Sequence, residues 1–310
     1  MKSVKRLFIF IVIAFAGKSA MAQQDAMYTQ YMFNTLAINP AYAGSRNVVS
    51  ATALYRAQWV GMAGAPRTTT LSIDAPVESK QLGLGLQVFN DRIGIQNTSG
   101  FFTSYAYRIR MDKGTLAFGL QAGASQYNAD FTSVDLGSDT NPDMAFANNV
   151  NKWLVNFGFG MYYNTDKFYI GLSAPQLLNN NFTNFKATGS NAFTGQAIHV
   201  FLAAGYVFPL GEDLHLKPSV LFKGVRGAPL EADINASLWF KDIISIGAQY
   251  RTEADIAGLV EIQITPQIRM GYSYDRATTS LVQYNSGSHE IMLRYEFGFS
   301  KSKVLSPRYF

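Results

Sequence analysis

Residues 228–240 of the chain read APLEADINASLWF, and apolar and polar side chains alternate along them. Leu230 and Ile234 fall on one face of this stretch, whereas Glu231 and Asp233 fall on the other. A period of two residues is typical of a β-strand with one apolar and one polar face. After tight breaks, three further runs continue the alternation, at 242–252, 254–265 and 266–276. This succession predicts an antiparallel meander.

The length of these runs and the residues at their ends favour a membrane barrel over a soluble β-sandwich, which would also show alternation. Each run has roughly ten residues, the length that a tilted strand needs to cross a bilayer. Aromatic residues suit the two membrane interfaces. They end the apolar faces here at Phe240, Tyr250, Tyr272 and Tyr274. The pattern therefore predicts an all-β fold, a transmembrane antiparallel β-barrel of the outer membrane.

The composition fits a barrel wall better than a globular enzyme. Charged residues make up 15% of the 310 residues, and the chain has 26 glycines, 14% aromatic residues and no cysteine. A usual soluble domain has roughly 25% charged residues. The net charge of +5 is spread along the chain, without a dense basic cluster that would indicate nucleic acid. Basic loops that face anionic outer-membrane lipid are the simpler explanation of this excess.

The first residues have the pattern of a secretory signal peptide. Three basic residues precede the apolar run 7–17, and the small residues at 20–22 stand where cleavage is expected, before Gln23. The apolar run is too short to span a bilayer core as a helix. We therefore expect residues 1–22 to be a signal peptide, and membrane residence to come from strands.

The alternation predicts about fourteen strands, an even number as bacterial barrels require. They are expected at 48–58, 67–76, 80–90, 99–111, 113–127, 152–164, 166–176, 196–209, 212–224, 228–240, 242–252, 254–265, 266–276 and 288–300.

The connections between these strands predict the orientation of the barrel. Short turns alternate with longer connections, among them 128–151, 177–195 and 277–287, which are rich in Asn, Ser, Thr and Asp. Periplasmic turns are short and outer loops are longer, so both mature termini are expected in the periplasm. We expect three parts after the signal peptide: an N-terminal periplasmic or plug segment at 23–47, the barrel at 48–300, and a C-terminal periplasmic tail at 301–310.

The predicted inner faces carry charges of both signs. A mixed polar lumen is expected of a cross-linked or partly plugged interior, whereas an ion-selective pore more often clusters one sign at a constriction. The first interpretation is favoured here. The residues expected in this charge network are Arg108, Arg110, Glu231, Asp233, Arg251, Glu261, Arg269, Arg294 and Glu296.

Several short motifs are more specific than the alternating pattern of a barrel wall. They are QYMFN at 30–34, NPAYAGS at 39–45, YRAQWVG at 55–61, GAPRT at 64–68, DAP at 74–76, LGLGL at 82–86, NDRIG at 90–94 and PRYF at 307–310. In this combination, over essentially the whole mature chain, the sequence resembles the PorP/SprF family. Members of that family are outer-membrane proteins of the type IX secretion system of Bacteroidetes and of its gliding machinery.

The resemblance implies a role without enzymatic activity, in delivering or holding a secreted adhesin at the cell surface. The implied partners are components of the type IX secretion and gliding machinery, and the adhesin or its C-terminal domain. The alternative is a passive or substrate-selective transport barrel, with the segment before residue 48 as a hatch. Periodicity by itself indicates only the barrel.

The motifs also supply candidate residues for partner binding or local structure. Gly61 and Gly64 permit unusual backbone angles in the first outer loop, where Pro66 fixes the return of the chain. Trp59 is expected either to anchor at the outer interface or to contact a partner. The other candidates are expected to pack the N-terminal segment, to pair with it or to contact a partner, and they are Tyr31, Phe33, Asn39, Pro40, Tyr42 and Arg56.

Motifs of enzyme chemistry are missing from the sequence. It contains no GxSxG elbow, HExxH motif, P-loop or dinucleotide fingerprint. His199, His215 and His289 lie on separate predicted strands, and the adjacent Glu290 faces the opposite side from His289. We therefore expect no catalytic site, no metal site and no cofactor.

Overall fold

The computed structural model describes residues 27–77, 81–134, 148–182, 195–225 and 228–297. The expected signal peptide and C-terminal tail lie outside the described residues. So do residues 298–300 of the expected last strand, part of the turn at 77–79, and parts of the connections at 128–151 and 177–195.

The strands have the following bounds: β1 Val49–Ala57, β2 Arg67–Pro76, β3 Leu82–Ile93, β4 Gln96–Met111, β5 Gly114–Ala129, β6 Val150–Asn164, β7 Phe168–Ala174, β8 Asn180–Asn181, β9 Gly195–Gln196, β10 His199–Tyr206, β11 Phe208–Pro209, β12 Leu214–Val225, β13 Glu231–Phe240, β14 Ile244–Arg251, β15 Asp255–Gln263, β16 Ile268–Ala277 and β17 Ser288–Phe297.

Fourteen of the strands in the described part of the chain form one closed antiparallel barrel. The strands β1 to β7 follow one another, β10 bridges β7 and β12, and β12 to β17 complete the circuit. The barrel closes where Ala53 of β1 lies opposite Leu293 of β17. Two-residue strands lie beside this circuit: β8 pairs with β9, and β11 pairs with β12. The predicted fourteen-stranded barrel is thus confirmed.

Side chains alternate between the outer and inner surfaces of the wall. Along β13, Ile234 and Leu238 are exposed on the outside, whereas Asp233 and Asn235 are buried on the inside. An apolar outer surface with a polar interior is what a barrel in lipid requires. In the described residues, no helix has the length and apolar character needed to cross a membrane.

The hairpin of β3 and β4 extends further toward the loop end than the alternation predicts. The alternation predicts that β3 ends at 90 and β4 begins at 99, but β3 continues to Ile93 and β4 begins at Gln96. The outward side chains near this end are polar, so the apolar alternation stops while the hydrogen-bonded ladder continues. There, Asn90 Nδ2 donates to Asn97 Oδ1 at 2.7 Å and to Ser99 Oγ at 2.8 Å.

The strand expected at 196–209 is interrupted near its end. Its regular part, β10, ends at Tyr206, and the buried Val207 donates its backbone N–H to Lys167 O at 2.8 Å. Pro209 in β11 has no N–H to donate to a ladder, which suits it to the end of a strand.

The two ends of the barrel differ in their connections. One end, here the turn end, carries the short connections 112–113, 165–167, 241–243 and 264–267. The opposite end, here the loop end, carries the connections 58–66, 94–95, 252–254 and 278–287, together with those between β5 and β6 and between β7 and β10.

The N-terminal segment, described from residue 27 to residue 48, lies in the lumen. Its only regular structure consists of two 3₁₀ turns, Thr35–Ala37 and Pro40–Tyr42. Its apolar side chains pack with inward-facing side chains such as Tyr162, Phe201 and Leu221 in one buried cluster. The segment contacts the wall from the loop half of the lumen to the turn half.

Candidate functional site

The N-terminal segment begins at a buried carboxylate in the loop half of the lumen. The backbone N–H groups of Thr29 and Gln30 donate to the two oxygens of Glu290, at 2.9 and 2.7 Å. Glu290 lies near the start of β17, which is its loop end. A carboxylate that accepts two backbone N–H groups forms strong, charge-assisted hydrogen bonds. These bonds fix where the segment meets the wall.

One arginine joins this carboxylate to a second one. Arg56 Nη1 lies 3.0 Å from Glu290 Oε2 and 2.6 Å from Asp275 Oδ2, and it donates to Thr29 Oγ1 at 2.8 Å. The side chains of Arg56, Asp275 and Glu290 are at most 1% exposed. Sequence reasoning missed Asp275 as a member of the network, although its place on the polar face of β16 was a signal.

A second charged cluster lies beside the first in the loop half. Arg251 binds Asp233 through Nε at 2.8 Å and Nη2 at 3.0 Å, and its Nη1 donates to Asp255 at 3.3 Å. Arg251 Nη2 also donates to the backbone oxygen of Tyr28 at 3.4 Å. Lys223 pairs with Glu231 at 3.1 Å.

The aromatic candidates of the N-terminal segment are buried in the middle of the lumen. The Tyr31 hydroxyl lies 3.2 Å from Ser219 Oγ, and burial raises the pKa of Tyr31 well above its ordinary value. Tyr42 packs edge-on against Tyr162 with ring centroids 5.5 Å apart. The Arg294 guanidinium lies 5.8 Å from the Phe33 ring and donates to Phe33 O. All three side chains are therefore buried between the segment and the wall.

Asn39 and Pro40 shape the turn by which the segment approaches the wall. Asn39 Oδ1 accepts from the N–H of Ala41 at 3.0 Å, and its Nδ2 donates to Met161 O at 2.9 Å. Pro40 opens the second 3₁₀ turn, where its missing N–H is not needed. Gly119 of β5 lies so close that a Cβ there would meet the backbone of Pro40 and Ala41.

The segment is held again at the turn end. Gly44, at φ 70°, donates its N–H to Asp74 Oδ2 at 2.8 Å, and Arg108 Nη1 donates to Gly44 O at 2.6 Å. Arg46 forms a buried ion pair with Glu296. Two of the sequence motifs, NPAYAGS and DAP, are thus joined by the contact between Gly44 and Asp74.

The remaining residues of the expected charge network are divided. Arg269 lies 4.6 Å from the Trp239 ring and donates to Gln263 Oε1 at 2.7 Å, while Glu261 accepts from Ser245 Oγ at 2.9 Å. Arg110 does not join them, because it is exposed near the turn end of β4. The charged side chains of the lumen are therefore divided between two regions. The clusters of Arg56 and Arg251 lie in the loop half, and a separate set of charged residues lies in the turn half.

The first loop, residues 58–66, is bound to two neighbouring connections at the loop end. Val60 N donates to Gly287 O at 2.8 Å, Ser286 N donates to Val60 O at 2.7 Å, and Gly94 N donates to Gly64 O at 2.8 Å. Pro66 O accepts from Gln58 N at 2.9 Å, which closes the loop.

The backbone of the first loop takes left-handed angles at three of the candidate residues. Gly61 has φ 99° and Gly64 has φ 71°. Trp59 has φ 49°, which is rare for a bulky side chain, and its N–H donates to Ser288 Oγ at 3.1 Å.

A cavity of about 140 Å³ lies in the loop half of the lumen, beside the N-terminal segment. Sequence reasoning did not identify it, because the N-terminal segment and β12 close it together with β3, β4 and β5, and these parts are distant in sequence. Amides and aromatic rings of β3, β4 and β5 line it, with Gln87, Phe89, Phe102, Gln121 and Tyr127 among them.

The histidines and acidic residues form no metal-binding arrangement in the described part of the chain. No group of three or more His, Asp or Glu side chains there could hold a metal ion. His289 lies on the outer surface, where its Nδ1 is 2.7 Å from the Tyr272 hydroxyl, whereas the adjacent Glu290 is buried inside.

Comparison with known proteins gives similar barrels among solved structures. The outer-membrane protein Omp33 of Acinetobacter baumannii is 10% identical, with a TM-score of 0.46 over 81% of this chain and 100% of that one. A FadL homologue of Pseudomonas aeruginosa is 12% identical, with a TM-score of 0.47 over 86% and 94%. The monoaromatic hydrocarbon channel CymD is 12% identical, with a TM-score of 0.48 over 90% and 95%.

The comparison of sequences assigns the family. No curated protein matches the chain. The family model described as type IX secretion system membrane protein PorP/SprF matches residues 20–295, which include all fourteen barrel strands almost to the end of β17. The chain therefore belongs to the PorP/SprF family of type IX secretion system membrane proteins, and its strands form a closed β-barrel.

Proposed function

We propose that this protein is a non-enzymatic barrel of the type IX secretion and gliding machinery that docks a secreted surface protein, such as an adhesin, through protein–protein contacts. In this proposal the N-terminal segment plugs the barrel, machinery components bind at the turn end, and the exported protein or its C-terminal domain binds at the loop end. The turn end and both mature termini face the periplasm, after removal of residues 1–22 as a signal peptide.

The observation that carries the proposal is that the N-terminal segment is held at both ends of the lumen. Glu290 and Arg56 bind it in the loop half, and Asp74, Arg108 and Glu296 bind it in the turn half. Breaking a buried ion pair by removing one partner costs about 3–5 kcal/mol. A hatch that opens for solutes would have to break several such contacts, which argues against the alternative of a transport barrel.

The first loop supports docking at the loop end. Hydrogen bonds to its two neighbours hold its backbone, so a partner would meet a surface that loses little conformational entropy on binding. The left-handed backbone of Trp59 costs about 1–3 kcal/mol, and residues strained in this way cluster at functional sites. A Trp held on such a loop is a suitable anchor for a protein partner.

Affinity purification from outer membranes with a tagged chain tests this proposal. With the native chain we expect secretion-system components and one large surface protein to co-purify. With the double variant Trp59→Ala, Pro66→Ala we expect the surface protein to be lost selectively. The loop then lacks its aromatic anchor and the proline that restricts the backbone where the chain enters β2.

A matched control removes an aromatic residue elsewhere at the loop end. Tyr284 is 68% exposed on the connection between β16 and β17. The variant Tyr284→Ala should retain the surface protein. A native chain that is folded and abundant yet purifies alone would contradict the docking proposal and favour transport.

A further inference from the structure

Two arginines lie side by side on the outer surface of the barrel near the loop end. Arg67, the first residue of β2, is paired in register with Arg92 of β3, and both side chains are exposed. Directly opposed residues have Cβ atoms about 4.5–5.5 Å apart, and like charges in this arrangement repel. The pair therefore favours an anion between the two guanidinium groups.

On the adjoining strands that the structure describes, no acidic side chain stands beside the pair in the same row. The row continues from Arg67 to Ala57 of β1 and from Arg92 to Asn97 of β4. The acidic neighbour along the chain, Asp91, faces inward and accepts a hydrogen bond from Thr68 Oγ1 at 2.6 Å. Among the described residues, neither arginine forms an ion pair, so both charges are available to a ligand from outside.

The height of the pair on the wall matches the level of lipid headgroups. Leu71 and Val88 form an apolar outward pair, and the next outward pair toward the loop end is Thr69 and Asn90. The arginine pair follows as the next row. Since two residues of a strand advance by about 6.6–6.8 Å, the arginines lie some 13 Å along the strands beyond Leu71 and Val88, which is a height of roughly 10 Å for a strand tilted as in such barrels. This is the interface, where phosphate groups of lipids reside.

The first loop makes this surface concave. A cavity of about 500 Å³ is lined by both arginines, by Tyr55 and Gln58, and by backbone of the first loop. Tyr55, Arg67 and Arg92 are exposed on the outer face of their strands, so this cavity lies on the outer surface of the barrel. A guanidinium group binds phosphate through paired N–H donors, and two such groups around one phosphate give geometric specificity as well as attraction.

We propose that Arg67 and Arg92 form a binding site for a phosphate group of an outer-leaflet glycolipid. The first loop then rests on a bound lipid, which fixes the loop end of the barrel at the membrane surface. This site rests on the proposed orientation, in which the loop end faces the cell surface, and it is independent of the proposed docking of a secreted protein.

Thermal unfolding of the full-length barrel, purified in detergent and freed of lipid, tests the site. Diphosphorylated lipid A should raise the unfolding midpoint by roughly 5 °C at a concentration a hundredfold above its dissociation constant. The double variant Arg67→Gln, Arg92→Gln should bind at least about tenfold more weakly, because it loses the charge-assisted bonds. The single variant Arg92→Gln should fall between them, which keeps the test decisive if the double variant folds poorly.

The control variant Arg110→Gln removes an exposed arginine at the opposite end and should respond as the native chain does. Dephosphorylated lipid A should give no shift beyond that of a phosphate-free detergent. An equal shift with dephosphorylated lipid A, or an unchanged response in the double variant, would overturn the proposal. If inorganic phosphate shifts the midpoint as much as the lipid does, the site binds free phosphate. If hexa-aspartate binds in place of lipid A, the partner is an acidic protein. Either result would also overturn the proposal of a glycolipid site.

Discussion

At the scale of single residues, the N-terminal segment depends on buried charges whose partners come from distant parts of the chain. Arg56 makes its contacts to Thr29, Asp275 and Glu290 through Nη1, and its Nε and Nη2 have no hydrogen-bond partner among the described residues. A buried ion pair is often no more stabilising than apolar packing of equal volume, but the loss of one partner leaves an isolated buried charge. Arg56 is therefore a sensitive position.

The variant Arg56→Ala should lower the free energy of unfolding by about 3–5 kcal/mol, because it leaves Asp275 and Glu290 buried without their cation. Urea unfolding in lipid vesicles, followed by the gel mobility shift between folded and unfolded barrel, measures this change. The control is Lys241→Ala at the turn end. Lys241 pairs with Asp213 at 3.7 Å, and the two side chains are 52% and 59% exposed.

For Lys241→Ala we expect a loss below about 1 kcal/mol, as for other exposed ion pairs. Equal effects of Arg56→Ala and Lys241→Ala would contradict a structural role for the buried contacts of Arg56.

At the scale of elements, the strands have glycine residues where the backbone of the N-terminal segment packs directly against them. Gly119 of β5 and Gly83 of β3 lack side chains at the points where the backbone of the segment approaches most closely. From the sequence alone both glycines look like ordinary barrel wall. The reason for a glycine at each position is a contact with the segment, which can be recognised only when the path of the segment through the lumen is known.

The variant Gly119→Ala should destabilise the protein by about 1–3 kcal/mol, because its Cβ would overlap the backbone of Pro40 and Ala41. The matched control is Gly258→Ala in β15, where an added Cβ meets nothing within 4 Å. The same urea unfolding experiment should show no loss for this control. Comparable losses in both variants would mean that the segment does not press against β5.

The alternation of apolar and polar residues predicts some strands correctly and others only in part. Alternation predicts β13 to β17 well, because the outer surface must be apolar wherever lipid covers it. It fails for the hairpin of β3 and β4 beyond Asn90, because the ladder continues where lipid no longer imposes a pattern. It also misses the interruption at Val207, which depends on a contact with Lys167 of another connection.

At the scale of the whole molecule, the sequence predicts a lumen of mixed charge but not its division into two groups. That Arg251 binds Asp233 could be inferred from neighbouring strands. That Arg46 binds Glu296 could not, because Arg46 precedes the first strand and its position depends on the route of the N-terminal segment. The loop-half cavity likewise arises only when the wall closes around the segment, and the arginine pair depends on the register between β2 and β3, which the sequence pattern does not determine.

The orientation of the barrel can be measured by labelling, because the chain has no cysteine of its own. In intact cells, a membrane-impermeant maleimide should label Tyr284→Cys at the loop end. It should label Lys241→Cys at the turn end only after the outer membrane is permeabilised. Labelling of Lys241→Cys in intact cells, with protection of Tyr284→Cys, would reverse the proposed orientation.

The central claim is that a plugged barrel acts by docking a secreted protein and not by passing solutes. The most direct measurement compares the proteins on the surface of intact cells with and without this chain, by mass spectrometry of peptides released by external protease. Our account predicts that one or a few exported surface proteins disappear from the surface and return when the native chain is restored, while uptake of small hydrophilic solutes is unchanged. An unchanged set of surface proteins together with reduced solute uptake would contradict it.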